Sequence, residues 1–226
     1  VNKELTKKKY ITKICEPDGN LVKNIRNFKP SVVFNALHGR YGEDGYVQSL
    51  LESEKIKYTH SGPLASSIAI DKHLSKKIFI KNRILTPKYF KFIIKNNFNK
   101  KQLIKKINGR LGFPVVVKPL NEGSSVEVYI CEKNNLIKNI LKLKSYKEIL
   151  IERYIPGREI QVAILGNKKL GAIELRPKRK FYDYKAKYSV KAQTKHIIPV
   201  DLEKRKMQEV MNTAFKAHKL IGCKGV

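Results

Sequence analysis

Residues 112–128, GFPVVVKPLNEGSSVEV, constrain the fold of this chain more than any other segment. Three consecutive valines predict a buried strand that ends at Lys118, and a second strand follows a Gly-Ser-Ser loop at residues 123–125. Small residues let backbone N–H groups approach a ligand closely, and such donors beside a lysine are typical of phosphate sites. Taken alone, the segment also fits a hairpin with a polar turn.

The net charge of +29 over 226 residues invites a comparison with nucleic-acid-binding proteins. The 39 lysines and 9 arginines are spread along the whole chain, whereas a nucleic-acid surface is clustered and usually carries arginine and stacking aromatic rings. Lysine, isoleucine and asparagine have A/T-rich codons and fill 80 positions, so the bias resembles genome composition. We therefore expect a solvated surface and no nucleic-acid partner.

The apolar segments and the cysteines indicate the cellular location. No apolar run approaches the roughly 20 residues that a membrane-spanning helix needs, and residues 1–20 do not resemble a signal peptide. The three cysteines are widely spaced and form no metal-ligand pair. A reducing, cytoplasmic location without a membrane partner is expected.

A glycine-rich loop, HGRYGEDG, follows a predicted strand at residues 31–37 and precedes a predicted helix at residues 46–53. A second short strand completes an α/β unit, and ligands in such sheets bind beyond the carboxyl ends of strands. His38 leaves the strand first and is therefore a candidate site residue. Glu43 and Asp44 are expected to cap the helix, since acidic side chains favour a helix amino end.

Two carboxylates flank a turn in EILIERYIPGRE, which begins at residue 148. Glu152 ends an apolar strand, and Glu159 follows seven residues later. Carboxylates can accept hydrogen bonds from an adenine amino group and from ribose hydroxyls in a largely apolar pocket. The same residues also fit an exposed acid pair beside Arg153 and Arg158. Further on, FYDYKAKY carries four aromatic rings in eight residues, which predicts an ordered functional loop.

Five motifs in order and register resemble the D-alanine–D-alanine ligase family: HGRYGEDG, YTHSGPLASSIAIDKHLSK, FPVVVKPLNEGSSVEV, ILIERYIPGREIQVAILG and FYDYKAKY. The resemblance covers nearly the whole chain from about residue 31. It implies an α/β fold with α+β subdomains, namely an ATP-grasp domain at residues 71–226 after an N-terminal α/β domain at residues 1–70. It also implies ATP-dependent joining of two D-alanines through an acylphosphate, for peptidoglycan synthesis.

The resemblance implies an ATP site formed by residues that match the family's nucleotide ligands: Lys72, Lys118, Ser124, Ser125, Glu152, Arg153, Ile155, Glu159, Phe181 and Lys187. The two lysines at 72 and 118 match those on the phosphates. The acids at 152 and 159 match the partners of adenine and of the ribose. The backbone at 153 and 155 matches the linker facing adenine, and residues 181 and 187 match the loop that closes over ATP.

Three residues match positions that act on the amino-acid substrates. His38 matches the residue near the first D-alanine, while Tyr188 and Ser124 match a hydrogen-bonded pair that closes the site. Tyr188 favours the dipeptide product, because lactate-forming relatives tend to lack this tyrosine. A D-alanine–D-lactate ligase and a basic binding protein that keeps the fold without turnover are the alternatives.

Several features of the family's pattern are absent from these residues. The resemblance implies a substrate-ammonium glutamate before Val1 and Mg²⁺ (or Mn²⁺) ligands beyond Val226, so no metal ligand is expected within the chain. We therefore expect a fragment that lacks both termini and has no ligase activity by itself, with ATP, D-alanine and a homodimer belonging to the complete enzyme. Glu127 also stands where the family usually has glycine.

Overall fold

The computed structural model describes residues 1–177 and 194–225 and combines eight α-helices, one short 3-10 helix (Lys144–Tyr146) and seven strands in those ranges. The helices are α1 (Asn2–Lys7), α2 (Leu21–Phe28), α3 (Tyr46–Ser53), α4 (Pro63–Ile70), α5 (Lys72–Lys81), α6 (Lys100–Arg110), α7 (Leu136–Lys142) and α8 (Lys204–Ile221). The strands are β1 (Tyr89–Ile93), β2 (Val115–Pro119), β3 (Tyr129–Cys131), β4 (Glu148–Arg153), β5 (Glu159–Leu165), β6 (Lys168–Arg176) and β7 (Lys195–Ile197).

A four-stranded antiparallel sheet, in the order β1-β4-β2-β3, carries the larger core. Its central strands β2 and β4 are apolar on both faces, as the valine and isoleucine runs predict. Ile107 of α6 and Ile140 of α7 are fully buried in the same cluster as Val115, Val117 and Ile151. This packing fixes the ends of β2 and β4, where the sequence predicts site residues.

A three-stranded antiparallel sheet, β5-β6-β7, lies after the first sheet in the chain. A turn at Gly166 joins β5 to β6, and the φ of +58° at this glycine is a conformation that residues with a Cβ adopt less readily. Helix α8 contacts both β5 and β6. The predicted hairpin and the long final helix are therefore present.

The N-terminal region differs from its prediction. Residues 31–37 form no strand: their only bridge joins Val33 to Tyr58, and the expected strand at residues 56–59 is reduced to the same bridge. Beyond Val33, two backbone N–H groups bond to side chains: that of Asn35 donates to Thr59 Oγ1, and that of Leu37 donates to Asn35 Oδ1. Such side-chain acceptors compete with strand pairing.

A small core holds this N-terminal region together. Helices α2 and α3 pack through Leu21, Ile25, Val47 and Leu51, all of them buried. The predicted domain boundary at residue 70 falls where α4 ends and α5 begins. Over residues 1–177 and 194–225, no helix combines the length and the apolar character that crossing a membrane requires.

Candidate active site

A cavity of about 390 Å³ lies against β2, the end of β4 and the Gly-Ser-Ser loop. It brings together seven of the predicted nucleotide ligands, namely Lys72, Lys118, Ser124, Ser125, Glu152, Arg153 and Ile155. Val116 and Val128 add apolar walls to this charged rim. A pocket with apolar walls and a few convergent polar groups is typical of a small-molecule site.

The loop between β2 and β3 has an unusual backbone. Ser124, Ser125 and Glu127 all have positive φ, at 50°, 58° and 54°. The N–H of Val126 donates to the carbonyl of Gly123 at 3.0 Å and closes the turn. Glu127 thus holds a left-handed conformation that glycine adopts more easily. The hydroxyl of Tyr129 donates to the Glu127 carboxylate and helps to hold it.

Lys72 reaches the same loop from the first turn of α5. Asp71 caps this helix by accepting from the N–H groups of His73 and Leu74 at 2.8 and 2.9 Å. The Lys72 ammonium donates to the carbonyl of Leu120 at 3.1 Å and to that of Glu122. Burial, reinforced by the nearby charge of Lys118, lowers the pKa of Lys72 to about 8.

Glu152 lies between two lysines at the base of the cavity. Its Oε1 accepts from Lys118, and its Oε2 accepts from Lys76 at 2.7 Å. Burial acts to raise the pKa of Glu152, but the charge of Lys118 and the hydrogen bonds from both lysines hold it below its usual range. The carboxylate is therefore ionised, and it balances one of the two positive charges.

Lys76 is a residue that the sequence interpretation did not select. Lys76 belongs to a run of lysines on α5 that also includes Lys77 and Lys81, but Lys76 is buried while the other two are exposed. Its position four residues after Lys72 was the available signal, because side chains four apart lie on the same face of a helix.

A second cavity, of about 690 Å³, adjoins the first and shares Lys72, Glu122 and Gly123 with it. His38 lines this larger cavity, and its Nδ1 lies 3.9 Å from Glu43 Oε1. Glu43 Oε2 accepts from the N–H of Gly39 at 2.6 Å, so this acid closes its own loop. The two predicted ligand regions therefore meet at one wall.

The HGRYGEDG loop depends on two glycines for its shape. A Cβ at Gly42 would lie 2.2 Å from Leu37 Cβ, and one at Gly45 would lie 2.6 Å from the carbonyl oxygen of Pro63. Gly45 also has a φ of +93°. The predicted capping of α3 by Glu43 and Asp44 is wrong, because Gly45 is the N-cap and has no side-chain cap bond. Asp44, one residue earlier, accepts from the N–H of Tyr46 at 3.0 Å. These constraints explain the glycine spacing of the motif.

The remaining predicted residues are distributed as follows. Glu159 begins β5, is exposed and lines neither of these two cavities. Phe181, Lys187 and Tyr188 lie outside the described residues. In the part of the chain that the structure describes, no group of three or more His, Cys, Asp or Glu side chains could hold a metal ion.

Comparison with known sequences gives matches along nearly the whole chain. Residues 3–61 match the family described as D-ala D-ala ligase N-terminus, and residues 79–226 match D-ala D-ala ligase C-terminus. The D-alanine–D-alanine ligase of Pelagibacter ubique is 66% identical over 226 residues, which are all of this chain and 74% of the relative. The ligase of Wolbachia pipientis wMel is 38% identical, covering all of this chain and 70% of the relative.

Solved structures give the same result. A D-alanine–D-alanine ligase from Bacillus anthracis superposes with a TM-score of 0.80 at 34% identity, over 99% of this chain and 73% of that one. The same enzyme complexed with ATP gives 0.77 at 30% identity, over 97% and 69%. A D-Ala:D-Ser ligase from Enterococcus faecalis gives 0.73 at 28% identity, over 86% and 57%.

Proposed function

The chain belongs to the D-alanine–D-alanine ligase family, and from that premise we propose that its two adjoining cavities are the ATP site and the D-alanine site of such a ligase. The family makes D-alanyl-D-alanine for peptidoglycan. The matching relatives and solved structures confirm the family and the ATP-grasp fold that the sequence motifs imply. The observation that carries the proposal is the meeting of Lys72, Lys118 and the Gly-Ser-Ser loop in one cavity that shares a wall with a second.

The chemistry proposed for these cavities has two steps. A carboxylate oxygen of the first D-alanine attacks the γ-phosphorus of ATP, the bond to the bridging oxygen breaks, and ADP leaves. The amino group of the second D-alanine then attacks the acyl carbon, phosphate leaves, and the nitrogen loses a proton. A carboxylate is a poor electrophile, and phosphorylation by ATP gives it a good leaving group. The protein therefore contributes mainly by positioning the reactants and by neutralising charge.

The charges of the smaller cavity suit a triphosphate. Lys72, Lys118 and Arg153 line this cavity with Glu122 and Glu152, and Lys76 bonds to Glu152 from outside the wall. Four cations against two carboxylates leave an excess of positive charge for an anion. In this proposal Lys72 and Lys118 bind phosphate oxygens as compact point charges, and N–H groups of the loop at residues 123–126 assist them. Glu152 accepts from the adenine amino group beside the linker of Arg153 and Ile155.

The larger cavity is proposed to hold the amino-acid substrate. His38 and Glu43 lie on its wall, and Gly123 lies on the wall that it shares with the ATP site. Ser124 is adjacent to this wall in the chain and is proposed, with Tyr188, to close the site. The reacting carboxylate would thus meet the γ-phosphate where the two cavities join.

The finer expectations are proposals as well. Glu159 is proposed as the ribose partner, and Phe181 and Lys187 as the cover over ATP. A homodimer, a cytoplasmic location and the absence of a nucleic-acid partner belong to the same proposal. The use of Mg²⁺ is part of the expectation from the family, and no step is assigned to that ion.

Calorimetric titration of the chain with ATP tests the nucleotide assignment. We expect a dissociation constant of about 1 mM or tighter, the usual range for enzyme substrates, and a clear loss in Lys118→Met. An active ligase that contains these residues should release phosphate only when D-alanine is present, and should form D-alanyl-D-alanine in preference to products with D-serine or D-lactate. Absence of ATP binding by the folded chain would contradict the proposal, and a mixed product would contradict the substrate assignment.

A further inference from the structure

Lys76 is a buried cation with three partners in the protein. Only 7% of the residue is exposed, and its Nζ lies 2.7 Å from Glu152 Oε2 and 2.6 Å from Thr86 Oγ1. The same nitrogen stands 4.8 Å from the centre of the Tyr89 ring. A lysine is seldom buried in this way unless it is paired, because its desolvation costs several kcal/mol.

Glu152 therefore depends on a cation that does not line the ATP cavity. Lys118 bonds to one oxygen of the carboxylate and Lys76 bonds to the other, so the plane of the carboxylate is fixed from two sides. Lys118 has three N–H donors, and its bond to a single oxygen of Glu152 leaves donors for a ligand in the cavity. Lys76 itself is absent from the cavity wall.

Removal of Lys76 would change both neighbours. The Oε2 atom of Glu152 would lose its cationic partner, and both carboxylate oxygens would then accept hydrogen bonds from Lys118. Lys118 would then be bound more fully to the protein and would offer less to a phosphate. Burial would also favour the protonated acid, which is a donor where the intact carboxylate only accepts.

We propose that Lys76 is a positioning residue for nucleotide binding: it holds Glu152 as an oriented acceptor for the exocyclic amino group of the base and keeps Lys118 available to the phosphates. The inference rests on the proposed function, because it needs ATP in the smaller cavity. It goes beyond that function in assigning the selectivity for an amino-bearing base to a residue outside the cavity wall.

The test compares ATP with ITP, which carries a carbonyl where ATP carries the amino group. Calorimetry on the whole chain should show that the unmodified protein prefers ATP. Lys76→Met should weaken ATP binding by about tenfold, by analogy with the loss of an outer-shell partner at a metal site, and should bring the ATP and ITP dissociation constants closer together. Lys77→Met is the matched control, since it removes an exposed charge from the same helix.

A double-mutant cycle separates positioning from simple attraction. In a Glu152→Gln background, Lys76→Met should cost less than about twofold in ATP affinity, because the group that Lys76 positions is already altered. An equal loss in both backgrounds would show that Lys76 only attracts phosphate through space, and the inference would be wrong. If Lys76→Met alone unfolds, the double variant, in which Lys76 and the Glu152 charge are both absent, is compared with Glu152→Gln, and a loss of ATP affinity well above twofold in that comparison would overturn the inference.

The outcomes distinguish the two proposals. If a cooperative thermal denaturation shows that the unmodified chain is folded, and the chain binds no ATP, the proposed function fails and the inference fails with it. If the chain binds ATP but Lys76→Met behaves like Lys77→Met, with the same ATP-to-ITP ratio, only the role of Lys76 is overturned.

Discussion

Two buried glutamates in this molecule each meet two cationic side chains, and the two clusters differ in what those cations can still reach. Glu152 bonds to Lys76 and Lys118 beside a cavity. Glu174 on β6 bonds to Arg158 and Arg176 and is only 2% exposed. The charge count is the same in both clusters, yet only the first faces a ligand-sized space among the cavities described above.

The type of cation explains the difference. Arg158 donates to Glu174 through two nitrogens, with Nε 3.1 Å from Oε1 and Nη2 2.6 Å from Oε2. Its Nη1 donates to the carbonyl of Asp201 at 2.9 Å. Arg176 adds further bonds to Oε1. A planar guanidinium satisfies a carboxylate bidentately, whereas an ammonium is a point charge with donors left over. The arginine cluster ties strands together, and the lysine cluster is open to a ligand.

The largest expected effect breaks the lysine cluster. Lys118→Ala should weaken ATP binding by about 2–4 kcal/mol, or roughly 30- to 1,000-fold, because one charged phosphate contact is lost in a partly closed site. Lys91→Ala is the control, since Lys91 also bonds to a glutamate, Glu148, but on the exposed side of the same sheet. Equal ATP affinity in Lys118→Ala and in the unmodified chain, measured by calorimetry, would remove Lys118 from the site.

A smaller effect is expected when the lysine cluster is given the chemistry of the arginine cluster. Lys118→Arg keeps the charge, but the guanidinium should grip Glu152 with two nitrogens and turn away from the phosphates. We expect ATP affinity to fall by about tenfold, although the net charge is unchanged. Full ATP affinity in this variant would show that charge alone matters at this position.

The pH should also distinguish the open cluster. With a pKa of about 8, Lys72 is charged at pH 7 and largely neutral at pH 9, and only the charged form attracts phosphate. ATP affinity should therefore fall by about tenfold between pH 7 and pH 9, the change expected for one group that must be protonated. Charges at Lys118, Asp71, Glu122 and Glu152 act on the same ammonium.

Two variants check this assignment by the same titration. Lys72→Met should bind ATP more weakly and should show a flatter pH profile. Lys118→Met should move the fall to higher pH, because a neighbouring positive charge that lowers the pKa of Lys72 is gone. A slope that survives in Lys72→Met would assign the titration to another group.

The smallest expected effect on ATP is at the arginine cluster. Hydrogen bonds from Arg158, opposed by burial and supported by Arg176, lower the pKa of Glu174 from 4.5 to about 2. The stability that this carboxylate contributes is present above pH 4.5 and is lost as the pH falls towards 2. Glu174→Gln should lower the melting temperature at neutral pH, flatten its acid dependence and change ATP affinity by less than about twofold. A large loss of ATP affinity would instead connect this cluster to the site.

The strands of the four-stranded sheet and the helices that pack on it were predictable because their sequence patterns are local. The valine run of β2, the loop at residues 123–125 and the apolar strand β4 lie where the sequence indicates. Residues 31–37 were misjudged, because an apolar run does not reveal whether a partner strand exists. There, the side chain of Asn35 and the hydroxyl of Thr59 take bonds that a strand would have used.

The site was predictable where a motif names its residue, and less so where burial decides the role. Lys118 and Glu152 belong to motifs, and the structure brings them into contact. Lys76 differs from the exposed Lys77 only in the direction of its side chain, which depends on how α5 packs. A lysine-rich sequence conceals such a residue, because composition does not distinguish a buried ammonium from a solvated one.

If the two cavities hold ATP and D-alanine as proposed, the wall that they share provides a physical route for coupling between the two ligands. Lys72, Glu122 and Gly123 face both spaces, so a ligand that orders these residues from one side alters what the other side meets. The coupling must be reciprocal: the factor by which D-alanine changes the ATP dissociation constant equals the factor by which ATP changes that of D-alanine. A substitution in this wall can change this factor as well as the two separate affinities. The change in the factor measures the coupling between the nucleotide and the amino acid.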